Sequence, residues 1–170
     1  MAGKIFEDPV QRYRYRFEPQ QGELLSIDVW AEPGGGVSIE HFHPKTEERW
    51  EVVEGEVTFK VNGQKTKAGP GDEIVAKPGD RHSFENTGSE EAYLRVEAEP
   101  ALDLERNLVE AAALAQAGRY TRKGRPRGLK GLLEGAAFMD RYKETTVVTF
   151  PPPALQRILL PPLVRLGGRR

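Results

Sequence analysis

The 170-residue chain contains no cysteine, so neither a disulfide nor a thiolate metal ligand is open to it. That absence fits a reducing compartment, and a cytoplasmic protein is expected. An excess of either charge is also missing: 25 Lys and Arg face 26 Asp and Glu. Such balance gives no overall field that would gather nucleic acid. No apolar run approaches the roughly 18–20 residues needed to span a bilayer. The N-terminal Met-Ala-Gly-Lys-Ile-Phe-Glu-Asp-Pro lacks the apolar core of a secretion signal. Histidine is scarce, with three in the chain. What remains is a soluble chain long enough for one well-cored domain and short for two. Neither nucleic acid nor a membrane is expected as a partner.

The pattern divides the chain into three parts. Residues 1–22 form an arm in which Tyr13, Tyr15 and Phe17 alternate with Arg12, Arg14 and Arg16, as in a short edge strand with a solvated basic face. Residues 23–100 read as a series of short strands. Leu25, Ile27 and Val29 alternate with Ser26, Asp28 and Trp30, and Val57, Phe59 and Val61 alternate with Glu56, Thr58 and Lys60. Turn signals separate these strands: Asn62-Gly63, Gly69-Pro70-Gly71-Asp72 and Pro78-Gly79-Asp80. Pro33 and Gly34–Gly36 predict a flexible turn. They are not a phosphate loop, because no Lys-Ser/Thr pair follows and the next element is a strand. Many short strands at this spacing predict an all-β sandwich or small antiparallel barrel.

Residues 101–170 change character. Leu102, Leu104, Leu108, Val109, Ala112 and Ala115 recur near helical spacing, with Gly118 placed to end the helix. A basic, glycine-bearing loop covers 119–128, a second helix is predicted over Leu129 to Tyr142, and Leu155, Ile158, Leu159 and Leu163 form a last apolar face. Pro161-Pro162 should kink or end any helix there. This extension is expected to pack its leucines on the barrel or on a second subunit.

Chemistry concentrates between Gly35 and Gly55. His41 and His43 sit two apart in a segment that alternates like a strand, so their imidazoles point to one face. Glu48 lies across a turn that starts at Pro44 and can return to the same pocket; parity sends Glu47 to the other face. His82 follows a Pro-Gly turn on another strand that could close the barrel. Imidazole and carboxylate ligands suit Fe(II), Mn(II), Ni(II), Co(II), Cu(II) or Zn(II). Trp50 and Phe84 share parity with Glu48 and His82 and are expected to line the pocket, or simply to pack the core. Arg49 and Arg81 should point outward. Catalytic residues beyond the ligands are unknown; Tyr93 and Glu54 are the available acids or bases.

The spacings Gly35-x5-His41-x-His43-x4-Glu48-x6-Gly55 and Gly71-x5-Lys77-x-Gly79-x2-His82-x3-Asn86 resemble the two signature motifs of the cupin superfamily. The departure is Lys77, where that family usually has proline; here Pro78 follows one residue later. The resemblance covers about residues 23–99. It implies an antiparallel jelly-roll β-barrel followed by the helical extension, and makes His41, His43, Glu48 and His82 the ligands of a divalent transition metal. It further implies a homodimer acting on or binding a small molecule. An oxygenase-like metal-dependent enzyme is the first expectation, and a non-catalytic metal or small-molecule binding cupin the alternative. A metal-independent sugar epimerase or isomerase fits an intact ligand set less well.

Overall fold

The computed structural model describes residues 3–167 and contains eleven strands and three helices within them. Strands β1 (Ile5–Asp8), β2 (Tyr13–Phe17), β3 (Leu25–Ala31), β10 (Ala92–Glu99), β5 (Glu47–Glu54) and β8 (Glu73–Ala76) form one antiparallel sheet in that order. The other sheet runs β11 (Val147–Val148), β4 (His41–Phe42), β9 (His82–Asn86), β6 (Val57–Val61) and β7 (Gln64–Ala68). The architecture is the all-β barrel expected from the strand pattern, in the antiparallel jelly-roll form that the resemblance implied, with helices after it.

Alternation along each strand decides which face is buried. In β10, Ala92, Leu94, Val96 and Ala98 are buried while Arg95, Glu97 and Glu99 are exposed. Trp50 of the larger sheet meets Phe59 and Phe84 of the smaller one at ring-centroid distances of 5.7 and 4.9 Å, so the two inner faces share one core. The N-terminal arm carries β1 and β2, whose Phe6, Tyr15 and Phe17 cluster on the core side. On the outer side Arg16 pairs with Asp28 at 2.6 Å and Arg14 with Glu91.

Two turn regions fix the strands that bear the histidines. Gly34–Gly36 is not the flexible turn that three glycines suggested. Gly34 N–H donates to Asn86 O at 2.8 Å, Asn86 N–H to Gly35 O at 2.7 Å, and Gly36 N–H to Gln11 O at 2.9 Å. A Cβ on Gly36 would lie 2.6 Å from Phe84 O, so the glycine permits a close backbone crossing. The Pro78-Gly79 turn, with Gly79 at φ +88°, donates its Gly79 N–H to His43 O at 2.8 Å. Proline at 78 sets the first central position of this turn and glycine the second, so the shift of proline away from position 77 leaves the turn intact. Asn86, the last residue of the second motif, is structural: its amide donates to Ala31 O and Glu90 O, both at 2.8 Å.

The extension folds back over the barrel. Helix α1 (Leu104–Gln116) packs on β1, and Gly118 at φ +65° closes it as Gly118 N–H bonds Ala115 O and Arg119 N–H bonds Leu114 O. Helix α2 (Gly128–Arg141) lies against α3 (Pro153–Gly167). Of the two outcomes expected of Pro161 and Pro162, a kink or an end, the structure excludes the end: both lie inside α3. They withhold two amide donors from a helix whose exposed side leaves the freed carbonyls to water. Between α2 and α3, Val147–Val148 pair with His41–Phe42 and extend the smaller sheet. No helix among the described residues is long and apolar enough to cross a membrane.

Candidate metal centre

Register brings four side chains to one point inside the barrel. His41 of β4 pairs directly with His82 of β9, and Glu48 of β5 faces them from the other sheet. His43 lies just past the end of β4, with its ring centroid 5.1 Å from His41 and 5.3 Å from His82. One ligand atom from each of His41, His43, Glu48 and His82 lies within 4.8 Å of the other three. This is an arrangement that could hold a metal ion.

The hydrogen bonds of the rings decide whether they fit one. His41 Nδ1 contacts Ile39 O at 2.9 Å, His43 Nδ1 contacts Thr145 O at 2.7 Å, and His82 Nδ1 contacts Asp80 O at 2.9 Å. A carbonyl oxygen can only accept, so each Nδ1 carries the proton. Each neutral ring is therefore left with a bare Nε2 lone pair. His43 Nε2 and His82 Nε2 are buried and make no hydrogen bond, as does Glu48 Oε2. They approach Glu48 at 3.2 and 3.1 Å, close enough for an ion pair with protonated rings but without hydrogen-bond alignment. Lone pairs converging on a buried carboxylate repel one another unless a cation lies between them. The donor set, its tautomers and its orphaned atoms fit a divalent metal.

For His41 and Glu48 electrostatics point the same way, whereas the same carboxylate draws His43 toward its protonated form in the absence of a cation. Burial pushes the His41 imidazole down to about 3, and its neighbours His82 and His43 push in the same direction. Burial also works against charge on His43, but Glu48 outweighs it and raises that ring. Glu48 is buried, which favours its neutral form, yet His43 and His82 hold it well below the usual carboxylate range. The carboxylate is thus ionised and His41 neutral, the protonation states in which both coordinate a metal.

The centre forms part of the wall of a cavity of about 140 Å³ that runs from the barrel to the extension. Trp50 and Phe84 line it beside the ligands. Arg49 is exposed and pairs with Glu73 and Glu47, and Arg81 is exposed as well. Tyr93 is not in the cavity; it stacks on Trp30 on the outer face and donates to Asp28 at 2.7 Å. Glu54 is exposed at the end of β5.

Sequence reasoning missed the contribution of the extension. Leu104, Asn107, Leu108, Ala111, Tyr120, Phe138, Thr146 and Val148 all line the same cavity, and Thr145 supplies the carbonyl for His43. One signal was present: Asn107 interrupts the apolar stripe of α1 three residues after Leu104 and one before Leu108. A polar residue on a buried helical face needs a partner or a purpose. Tyr15, in the arm, also lines this space and carries a buried hydroxyl with no hydrogen-bond partner.

Comparison with known proteins agrees with this geometry. Residues 29–97 match the family model described as a cupin domain. No curated protein sequence matches the chain. Among solved structures, KdgF from a Halomonas species superposes with a TM-score of 0.52 at 18% identity, covering 58% of this chain and 89% of its own. An RmlC-like cupin from Shewanella frigidimarina superposes with a TM-score of 0.51 at 23% identity, covering 59% of this chain and 86% of its own. At these identities the likeness is one of fold. With the motif residues gathered at one point in a jelly roll, the segment 29–97 of this chain is a cupin domain.

Proposed function

We propose that this protein is a metal-dependent cupin enzyme that oxidises a small organic molecule inside the cavity between barrel and extension. The observation that carries the reading is the set of three Nδ1-protonated histidines whose Nε2 atoms converge with Glu48 at the cavity wall. In a six-coordinate ion four protein ligands would leave two places for small molecules. A metal bound there would polarise an oxygen donor and, as Fe(II) or Mn(II), pass electrons to dioxygen. In the dioxygenase form of this reading both atoms of O₂ enter the organic product, so the substrate supplies the electrons and no further reductant is consumed. The protein's part is to hold the three rings in one tautomer and to keep bulk water away with Trp50 and Phe84.

An epimerase or isomerase needs an acid or base free to move protons on the substrate. All three histidines belong to the cluster. The remaining carboxylate on the cavity wall, Asp8, is engaged: it accepts from Val10 N–H, Gln11 N–H and the Tyr120 hydroxyl at 2.9, 2.8 and 2.6 Å. The same lack of a free histidine or carboxylate supports a second reading, a cupin that binds metal and ligand without turnover.

Elemental analysis of tag-free protein tests the centre: one transition-metal ion per chain is expected, lost in His41→Ala and His82→Ala. Full metal in both variants would sink it. Anaerobic Fe(II) loading followed by oxygen-uptake assays with catechols, diketones and thiols separates the two readings. Oxygen uptake supports the enzyme; thermal stabilisation by a ligand without uptake supports the binding module. The apolar residues left exposed on the extension, Phe150 at 80% and Ile158 at 70%, would be covered in a homodimer. Light scattering at micromolar concentration should return twice the mass of one chain.

A further inference from the structure

The cavity chooses its ligand by what its walls lack. Among the described residues no Lys or Arg lines it, and the ionisable groups it does contain are the metal cluster, Asp8 and tyrosines. The surface facing the space is overwhelmingly carbon, from Trp50, Phe84 and Val96 in the barrel and Leu104, Leu108 and Phe138 in the extension. Most polar atoms on the walls are already engaged with protein. Asp8 is engaged as described above. Gln11 donates to Arg122 O at 2.9 Å and accepts from the Ser38 hydroxyl at 2.7 Å.

Outside the cluster, two fully buried polar atoms on these walls break that rule. Asn107 is 4% exposed, its Oδ1 accepts from the Thr146 hydroxyl at 3.3 Å, and its Nδ2 has no protein partner. The Tyr15 hydroxyl, on a residue 1% exposed, has none either. Thr146 also touches His43 Nδ1 at 3.3 Å, which places Asn107 one hydroxyl away from a metal ligand. Buried donors without partners are costly unless a ligand or water completes them.

Resting on the metal-centre reading above, we propose that the substrate is a neutral, predominantly apolar molecule with the bulk of about one six-membered ring. It bears one oxygen for the metal and a second, accepting oxygen for the amide of Asn107. Size supports this: the cavity of about 140 Å³ compares with an engineered apolar cavity of about 150 Å³ that takes up benzene. A sugar phosphate has no cation on these walls to meet its charge, and an unphosphorylated sugar would set most of its hydroxyls against carbon. Asn107 lies outside the matched cupin segment, so the extension rather than the barrel sets this selectivity.

The test is titration calorimetry of the full-length protein, both zinc-loaded and chelator-treated, with four probes: 4-hydroxyacetophenone, 4-ethylphenol, glucose and glucose 6-phosphate. Both phenols should bind the zinc form at least about tenfold more tightly than either sugar. Asn107→Leu should weaken 4-hydroxyacetophenone about five- to tenfold and leave 4-ethylphenol, which lacks the acceptor, unchanged. Ala111→Leu, which adds carbon to the cavity wall, should weaken both phenols while zinc stoichiometry stays at one per chain. Glucose 6-phosphate binding as tightly as the phenols to fully zinc-loaded protein would overturn the proposal. So would equal loss of both phenols in Asn107→Leu. Phenol binding to a protein that retains no zinc would instead fault the metal centre and leave the apolar selectivity standing.

Discussion

His41 and His82 are held by their own strands, whereas His43 is held by the extension. The first two rings donate Nδ1–H to the carbonyl two residues upstream, at 2.9 Å in each case. His43 donates to Thr145 O, 102 residues later, at 2.7 Å. A local bond of this kind forms whenever the strand forms, because the chain between donor and acceptor is too short to do otherwise. A bond across 102 residues forms only when α1, α2 and β11 have packed. Two candidate ligands are therefore properties of the barrel, and the third depends on a region outside the matched cupin segment. The extension adds a strand to the His41 edge of the smaller sheet, orients His43 and supplies one side of the cavity. It acts as half of the site.

The contrast can be broken most strongly from the barrel side, through pH. In chelator-treated protein His41 is held down at about 3 while the unfolded ring titrates near its ordinary 6.5. Between those values the unfolded chain binds more protons than the folded one, so acid favours unfolding. The contribution of neutral His41 is fully present above pH 6.5 and is lost as pH falls. From pH 6.5 down to the 4.5 at which Glu48 would ordinarily titrate, the loss should reach at most about 1.4 kcal/mol per pH unit. Urea melts across this range should show a flatter pH dependence in His41→Gln. An identical slope in both proteins would rule the assignment out.

From the extension side, Gly131→Ala should be nearly as damaging. The new Cβ would stand 2.3 Å from Arg119 O, a backbone atom that cannot swing aside. The clash outweighs the gain of about 1 kcal/mol in helix propensity, and a net loss of roughly 2 kcal/mol is expected. Metal affinity should fall with it, since α2 leads directly into the Thr145–Thr146 segment that meets His43. Unchanged affinity in a destabilised variant would show that the extension does not govern the site.

Thr146→Val is a smaller and sharper cut. It removes the hydroxyl between His43 and Asn107 and keeps the side-chain shape. Affinity measured against a competing chelator should drop about tenfold, in the range found when a ligand's supporting hydrogen bond is lost. In nitrogen-15 spectra the His43 ring resonances should move while those of His41 and His82 stay in place. Movement of all three would show that the rings are coupled rather than separately held. Least of all, Lys45→Ala deletes the exposed 3.0 Å ion pair with Glu144 at the same junction. Its effect on stability should stay within about 0.5 kcal/mol, because both groups are well hydrated.

Much of this molecule was readable before folding was considered. Alternation gave the strands, Asn62-Gly63 gave the β6–β7 hairpin with φ +49° and +86°, and Gly118 marked the end of α1. The four ligands were legible because strand parity and turn spacing are local properties. Three features were not. The glycines at 34–36 read as a flexible turn, since composition does not reveal that another backbone passes within contact distance. Pro161 and Pro162 predict a kink or an end, yet α3 continues through them, and the carbonyls they leave free belong to exposed residues, Arg157 and Ile158. Strand β11 has two residues, too few to carry a period, and exists because β4 offers an edge.

By itself, then, the sequence determined the fold of the barrel and the identity of the candidate ligands, since both follow from periodicities of two and from turns closed within a few residues. Only the tertiary structure decided which tautomer each histidine adopts, that Thr145 holds His43, and that Asn107 and Tyr15 line the cavity with buried polar atoms left unpartnered. Those outcomes depend on contacts between segments up to about a hundred residues apart. No local pattern encodes such contacts, because they arise from the burial of one region's apolar face against another.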